Sequence, residues 1–225
     1  EQNSYAGVTN KLLAKRARRI CVAYDNMQRF FPAYRILLTG NPVRQNLLHT
    51  KLTPEEARKS LGLRPDVKKI LVIGGSLGAR TLNESVLSER VHLEAHPEVQ
   101  ILWQTGGYYK DAIAERLKTE GQPDNLVVTD FVTDMGAAYA AADLVISRAG
   151  ASSISELALL DKEAALYVKD NEAFDELIPL ALNTIADDAL LSKLAHNVQQ
   201  LAHPDAAARI ADEVIRLAEE GPRGK

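Results

Sequence analysis

Cysteine occurs once in these 225 residues, tryptophan once and methionine twice, and aromatic side chains make up only 5% of the chain. A single thiol excludes an internal disulfide and fits a reducing compartment. It lies in Arg19-Ile-Cys-Val-Ala23 and reads as a core thiol rather than a nucleophile. The few aromatics do not interleave with basic residues, which argues against nucleic acid as a partner. No apolar run approaches the ~20 residues of a membrane-spanning helix, and no secretory leader is read. No Met opens the chain, so Glu1-Gln-Asn-Ser4 reads as the interior of a protein. Internal repeats and low-complexity stretches are lacking too.

What remains is ordinary for a globular protein: 46% hydrophobic, 25% charged and long enough to bury a proper core. The net charge of −3 conceals an asymmetry: residues 1–50 carry eight Lys/Arg against two Asp/Glu. The basic side chains concentrate at Lys11, Lys15, Arg16, Arg18 and Arg19. They form either a solvated helix face or a patch that meets anionic lipid or phosphate.

Strand and helix patterns alternate along most of the chain. A helix over Val8–Arg18 precedes strands at Ile20–Ala23 and Ile36–Thr39, and Pro42 opens a further helix after Gly40. Thr53-Pro-Glu-Glu56 has the form of a capping box for a helix ending near Gly62. Strands are expected at Ile70–Ile73, Val99–Trp103, Leu126–Thr129 and Leu144–Ser147. Helices are expected at Leu77–Leu93, Tyr108–Thr119, Met135–Ala141 and Ile154–Leu160, with three more over Phe174–Ile185, Asp187–Gln200 and Asp205–Ala218. This alternation is the pattern of an α/β, doubly wound parallel sheet of Rossmann type. One joint breaks it: from Leu160 through Asp161-Lys-Glu163 into Ala164-Ala-Leu-Tyr-Val168 no Gly, Pro or Asn turns the chain.

The richest local signal is Ile70-Leu-Val-Ile73 followed by Gly74-Gly-Ser-Leu-Gly-Ala79. Four large aliphatics read as a strand buried on both faces, and the glycines let a ligand approach the backbone. A strand turning through glycines into a helix offers free N–H groups at the positive end of the helix dipole, an anion site. The turn lacks the Gly-Lys-Ser/Thr of a P-loop and is not the six-residue dinucleotide fingerprint. Its plain alternative is a structural turn. Ser147-Arg-Ala-Gly-Ala-Ser-Ser-Ile-Ser-Glu156 repeats the logic after the last strand, with Ser152 and Ser153 as helix caps. Glu156 either accepts bonds from both hydroxyls of a ribose or simply favours the helix dipole. Two such turns in one sheet are what a nucleotide spans. His92 and His96, four apart, lack a third ligand and read as surface residues, and His196 and His203 receive no role.

Glu1-Gln-Asn3, Gly40-Asn-Pro-Val-Arg44, the 74–79 turn, Gln104-Thr-Gly106, Asp130-Phe-Val132 and Arg148–Glu156 stand in order along the chain. Together they resemble the MurG family, the bacterial N-acetylglucosaminyltransferases of peptidoglycan synthesis. The resemblance implies a GT-B arrangement of two Rossmann-like domains facing a cleft. Residues 1–40 would be a remnant of the acceptor domain and interdomain linker, 41–205 the UDP-sugar domain, and 206–225 a closing helix. It implies inverting transfer of N-acetylglucosamine from UDP-N-acetylglucosamine to the C4 hydroxyl of the muramic sugar of undecaprenyl-linked lipid I, giving lipid II. The place of work would be the cytoplasmic face of the cell membrane, on an anionic surface. Gly75, Ser76, Leu77 and Gly78 would meet the diphosphate, and Arg44 would reach the nucleotide sugar. Val132 would lie by the uracil, and Ala151, Ser152, Ser153, Ile154 and Ser155 would cover phosphates and ribose. Glu156 would hold the ribose hydroxyls, and Asn3 would face sugar or acceptor.

No carboxylate pair with metal spacing stands near the turns, so a metal-independent reaction without a cofactor is expected, with helix dipoles and Arg44 stabilising the leaving group. Two departures from the family stand out. Its N-terminal glycine-rich loop, which bears a His, and the His before the Glu-Gln-Asn segment are absent; the general base is expected there. A strand and donor-contacting loop are also missing between Leu160 and Lys162. The alternatives are a non-catalytic nucleotide-sugar module needing a partner chain, or a related GT-B enzyme with another lipid acceptor.

Overall fold

The structure is a computed structural model that describes residues 1–3, 5–43, 50–148, 168–199 and 203–221. Helix α1 (Val8–Leu13) leads into β1 (Ile20–Val22), and two single 3-10 turns at Met27–Arg29 and Ala33–Arg35 precede β2 (Ile36–Leu38). There follow α2 (Pro54–Ser60), β3 (Lys68–Ile73), α3 (Arg80–Ser88), α4 (Arg90–Glu94) and β4 (Val99–Gln104). Next come α5 (Lys110–Glu120), β5 (Leu126–Thr129), α6 (Met135–Ala141) and β6 (Leu144–Ser147). Helices α7 (Ala173–Ala186), α8 (Asp188–Gln199) and α9 (Ala206–Glu219) close the described chain. The strands form a small parallel sheet, β1–β2, and a four-stranded parallel sheet in the order β5-β4-β3-β6.

The larger sheet is apolar on both faces, and the period-2 alternation of its strands divides the core in two. Ile70 and Val72, Ile101 and Trp103, and Leu144 and Ile146 pack beneath α3, α4, α5 and α7. Leu71 and Ile73, Leu102 and Val145 pack against α2 and α6 on the other face. The small side chains of Met135-Gly-Ala-Ala-Tyr-Ala-Ala141 let α6 lie close to the sheet, and all six residues from Gly136 to Ala141 are buried. Trp103, 0% exposed, donates its indole N–H to Asn83 Oδ1 at 3.0 Å, as a buried indole requires. Among the described residues no helix is long and apolar enough to cross a membrane.

Two helices differ most from expectation. The helix expected over Leu77–Leu93 starts at Arg80, because Gly78 at φ +85° and the extended Ala79 keep Leu77 in the turn. It also breaks at Glu89, after which α4 carries Leu93 into the core. The first helix ends at Leu13 rather than Arg18. Arg18 instead donates through Nη1 to the carbonyls of Leu217 and Gly221, both at 2.8 Å, and pairs with Glu220. Arg19 pairs with Glu213 at 3.1 Å. The last helix therefore bonds back to the first residues, and its C-terminal carbonyls are capped by a cation. The capping box is present: Thr53 Oγ1 accepts from Glu56 N–H at 3.3 Å and the Glu56 carboxylate accepts from Thr53 N–H at 2.8 Å. The helices expected after Pro42 and at Ile154–Leu160 fall mainly outside the described residues, as does the joint at Leu160.

Lys69 is buried within β3, 1% exposed, with its ammonium turned to the carbonyl of Val67. Asp143 is occupied elsewhere, bonding Arg58 Nη2 at 2.8 Å and the Lys69 backbone N–H at 2.7 Å. Burial first, and the Arg58 guanidinium second, push the Lys69 pKa down from 10.5 to about 8. The folded pKa lies below the unfolded one, so the protonated form opposes folding below about pH 8 and the opposition fades as pH rises toward 10.5. Lys69→Met is expected to raise the melting temperature at pH 7, and this gain to shrink between pH 8 and pH 10.5. Melting curves across that range measure it.

Candidate functional site

The chain runs outward from β3 through β4 to β5, then returns to place β6 on the other side of β3. The strand order thus reverses between β3 and β6, and the carboxyl ends of these two strands flank a crevice of the kind that takes ligands in open α/β sheets. Their last residues, Ile73 and Ser147, are register partners. The turn after β3 and the first residues after β6, far apart in the sequence, therefore leave the sheet side by side.

The turn after β3 is held by its neighbour after β4. A Cβ on Gly78 would lie 2.0 Å from the Thr105 carbonyl oxygen, and one on Gly106 would lie 2.0 Å from the Gly78 nitrogen. Both residues have positive φ, +85° and +83°. Only backbone without side chains can interlock this closely. Gly107 N–H donates to the Ser76 carbonyl at 3.2 Å, and Asn83 Nδ2 donates to the Thr105 carbonyl at 2.9 Å. Ser76 and Leu77 are left exposed at the tip, Leu77 at 73%.

Helix α3 begins immediately behind this tip. Its N-cap is Ala79, which offers no oxygen to the first N–H groups. The helix after β5 is different: Asp134 accepts from Ala137 N–H at 2.9 Å and closes that terminus. An anion is thus favoured at α3 and disfavoured at α6. Next to the capped terminus, Val132 is 7% exposed, and its side chain packs into the core.

Asn3 lies at a second place. It lines a cavity of about 420 Å³ with Glu1, Gln2, Asn10, Cys21, Thr39, Gly40, Asn41, Pro42 and Ile210. The Glu1 carboxylate organises this corner, accepting from Asn10 Nδ2 at 2.8 Å, Gly7 N–H at 2.9 Å and Asn3 N–H at 3.0 Å. Burial raises its pKa, but these hydrogen bonds outweigh that and bring it down from 4.5 to about 2. Cys21 is half-buried at the cavity wall rather than in the core, because β1 lies at this rim; burial pushes its thiol pKa up, the opposite of activation. Arg44 and the run Ala151, Ser152, Ser153, Ile154, Ser155 and Glu156 lie outside the described residues.

The model of the glycosyltransferase family 28 C-terminal domain matches residues 69–210, from the second residue of β3 through the first turn of α9. The chain belongs to this family. It is 53% identical over 245 aligned positions to the UDP-N-acetylglucosamine–N-acetylmuramyl-(pentapeptide) pyrophosphoryl-undecaprenol N-acetylglucosamine transferase of Bacteroides fragilis, covering 98% of this chain and 64% of that protein. The protein of the same name from Bacteroides thetaiotaomicron is 52% identical, covering 97% and 66%. Among solved structures, Acinetobacter baumannii MurG superposes with a TM-score of 0.70 at 27% identity, over 96% of this chain and 65% of that one. The chain thus spans about two thirds of the length of these relatives. The Bacteroides fragilis alignment is 20 positions longer than the chain's 225 residues, so at least that many positions of the relative have no counterpart here.

Within this family 28 domain, the residues that brace the site are ones to which sequence reasoning gave no role. Asn83 joins the Trp103 indole to the Thr105 carbonyl, and Gln104 reaches two turns at once. Gln104 stood in the Gln104-Thr-Gly106 motif without a task of its own, and Asn83 stood in no motif. His203 had no role either; a Cβ on Gly40 would lie 2.3 Å from its Cβ, so the two segments cross in contact. His92 and His96 bond Glu89 at 2.5 Å and Glu98 at 2.8 Å, beside a cavity of about 610 Å³ near the amino ends of β3 and β4, away from the crevice. Among the described residues no group of three His, Cys, Asp or Glu is placed to hold a metal ion.

Replacement of the interlocked glycine tests the turn. Gly106→Ala is expected to cost about 3 kcal/mol or more, because backbone must move as well as adopt a strained φ. Gly62→Ala, at φ +67° with nothing within 4 Å, is expected to cost only about 1–2 kcal/mol. Urea denaturation of the two variants gives the comparison.

Proposed function

We propose that this chain binds UDP-N-acetylglucosamine and serves as the donor half of an inverting N-acetylglucosaminyltransferase that converts lipid I to lipid II. The observation that carries the reading is the pairing of Ile73 with Ser147, which brings the carboxyl ends of β3 and β6 side by side at the reversal point of the sheet. In support stand the uncapped start of α3 and the identity to the Bacteroides relatives. In this reading residues 41–205 form the donor domain, and residues 1–40 belong with the acceptor side. The closing helix, assigned to 206–225, returns to that side over its described part through the bonds of Arg18 and Arg19.

The chemistry follows from where charge grows. As the anomeric bond to UDP breaks, negative charge builds on the β-phosphate. Gly75, Ser76 and Leu77 present backbone to it while Gly78, its N–H on the Gly75 carbonyl, closes the turn, and the α3 dipole contributes about 0.3–1 kcal/mol, or up to ~2 if desolvated. Arg44 adds a charge-assisted bond worth about 1.5–3 kcal/mol. Ala151, Ser152, Ser153, Ile154 and Ser155 cover the phosphates and ribose from the second turn, and Glu156 holds the ribose hydroxyls. The Val132 backbone reads the uracil edge, and Asn3 faces the sugar or acceptor. The residues without counterpart in this chain fall, in our reading, at Leu160–Lys162, where the sequence carries no turn residue.

Isothermal calorimetry with UDP tests the donor site. The chain is expected to bind UDP, and Glu156→Ala to weaken binding by about 1.5–3 kcal/mol. Glu120→Ala, at the far end of α5, is expected to leave it unchanged. Equal affinities for the two variants would overturn the ribose assignment.

The lipid acceptor places this activity at a membrane, and α1 suits one. Val8, Leu12 and Leu13 are 75%, 64% and 59% exposed beside the exposed Lys15 and Arg16. Arg18 and Arg19 are committed to α9 and are not part of this surface. Co-sedimentation with phosphatidylglycerol vesicles is expected to fall in a Leu12→Ser, Lys15→Gln, Arg16→Gln triple variant. Unchanged binding would remove α1 as the contact.

A further inference from the structure

Gln104 closes β4 between Ile73 and Thr129, its register partners on the two adjoining strands. It is 4% exposed, and its amide is fully engaged. Oε1 accepts from Gly74 N–H at 3.3 Å; Nε2 donates to the Gly75 carbonyl at 2.8 Å and to the Asp130 carbonyl at 3.2 Å. One side chain thus ties the turn after β3 to the turn after β5. The partners also dictate the orientation of the amide, since two carbonyls demand the NH₂ group and one N–H demands the oxygen.

The bond to Gly75 has a directional consequence. In a trans peptide the carbonyl oxygen and the following N–H point to opposite sides. Gln104 Nε2 and Gly78 N–H, at 2.8 and 2.9 Å, both hold the Gly75 oxygen. The N–H of Ser76 is thereby turned away from Gln104, and Ser76 itself is exposed. Within the turn a single bond, from Gly78 N–H, sets this orientation, and a lone bond at an exposed glycine turn is easily exchanged for water; the buried Gln104 amide supplies the second hold on the same oxygen.

We infer that Gln104 is a positioning residue that locks the Gly75–Ser76 peptide with its N–H outward, so that the turn is set to receive a nucleoside diphosphate rather than repel it. The inference rests on the UDP-binding reading above. It goes further in assigning the polarity of the site to a side chain that touches no ligand.

The test compares UDP binding by the unaltered chain, Gln104→Met and Gln104→Glu, with melting curves to confirm folding. Gln104→Met keeps the shape and removes the hydrogen bonds; UDP affinity is expected to fall about tenfold or more, while affinity for uridine, which lacks phosphate, falls less. Gln104→Glu sets a carboxylate against two carbonyls and is expected to bind as poorly at pH 8. Protonation at pH 5.5 restores one donor, so its affinity relative to the unaltered chain is expected to recover in part. A role confined to fold stability would lower uridine and UDP affinity together and give no such recovery. If Gln104→Met does not fold, the pH profile of Gln104→Glu decides the matter alone. Undiminished UDP binding in a folded variant, or a flat pH profile, overturns the inference. Failure of the unaltered chain to bind UDP overturns the functional reading instead.

Discussion

The candidate site depends on a contact between two stretches of bare backbone. Gly78 and Gly106 touch where the turns after β3 and β4 meet, leaving no room for a Cβ on either. That contact sets how far the first turn stands above the sheet, where α3 begins and which way its dipole points. The hydrogen bonds around it, from Gly107 to Ser76 and from Asn83 to Thr105, then fix the turn in position. A site made of backbone N–H groups needs this rigidity, because each group is a weak partial charge that acts only when aimed.

The sheet that carries these turns was legible in the sequence because both its faces are buried. Leu126–Thr129, Met135–Ala141 and Leu144–Ser147 have the boundaries their apolar pattern and flanking polar residues imply. Leu77 was misplaced for a definite reason: its composition suits a helix, but the positive φ of Gly78 decides that the helix waits until Arg80. Propensity is local and weak, and a glycine forced into contact with a neighbouring turn overrides it.

The bracing residues were illegible for another reason. That Gln104 faces Gly74, Gly75 and Asp130 follows from β4 lying between β3 and β5, and strand order is not written in any single segment. The adjacency of Ile73 and Ser147 is likewise a property of the order, not of either strand. The motifs themselves carried the resemblance to a nucleotide-sugar enzyme, while their mutual placement had to be seen. The basic run near the start shows the same limit from the other side. Arg18 and Arg19 looked like neighbours of Lys15 and Arg16, yet they face a helix almost two hundred residues away.

The contact of Gly40 with His203 carries a mechanical implication. The polypeptide passes between its smaller and larger sheets twice, once outbound near residue 40 and once inbound near residue 203, and the two passages press against each other. A body joined at one point swivels freely, whereas one joined by two abutting strands turns chiefly about the line through them. Chain segments on the two sides of Asn41 and Pro42 are thereby held at two abutting points rather than one.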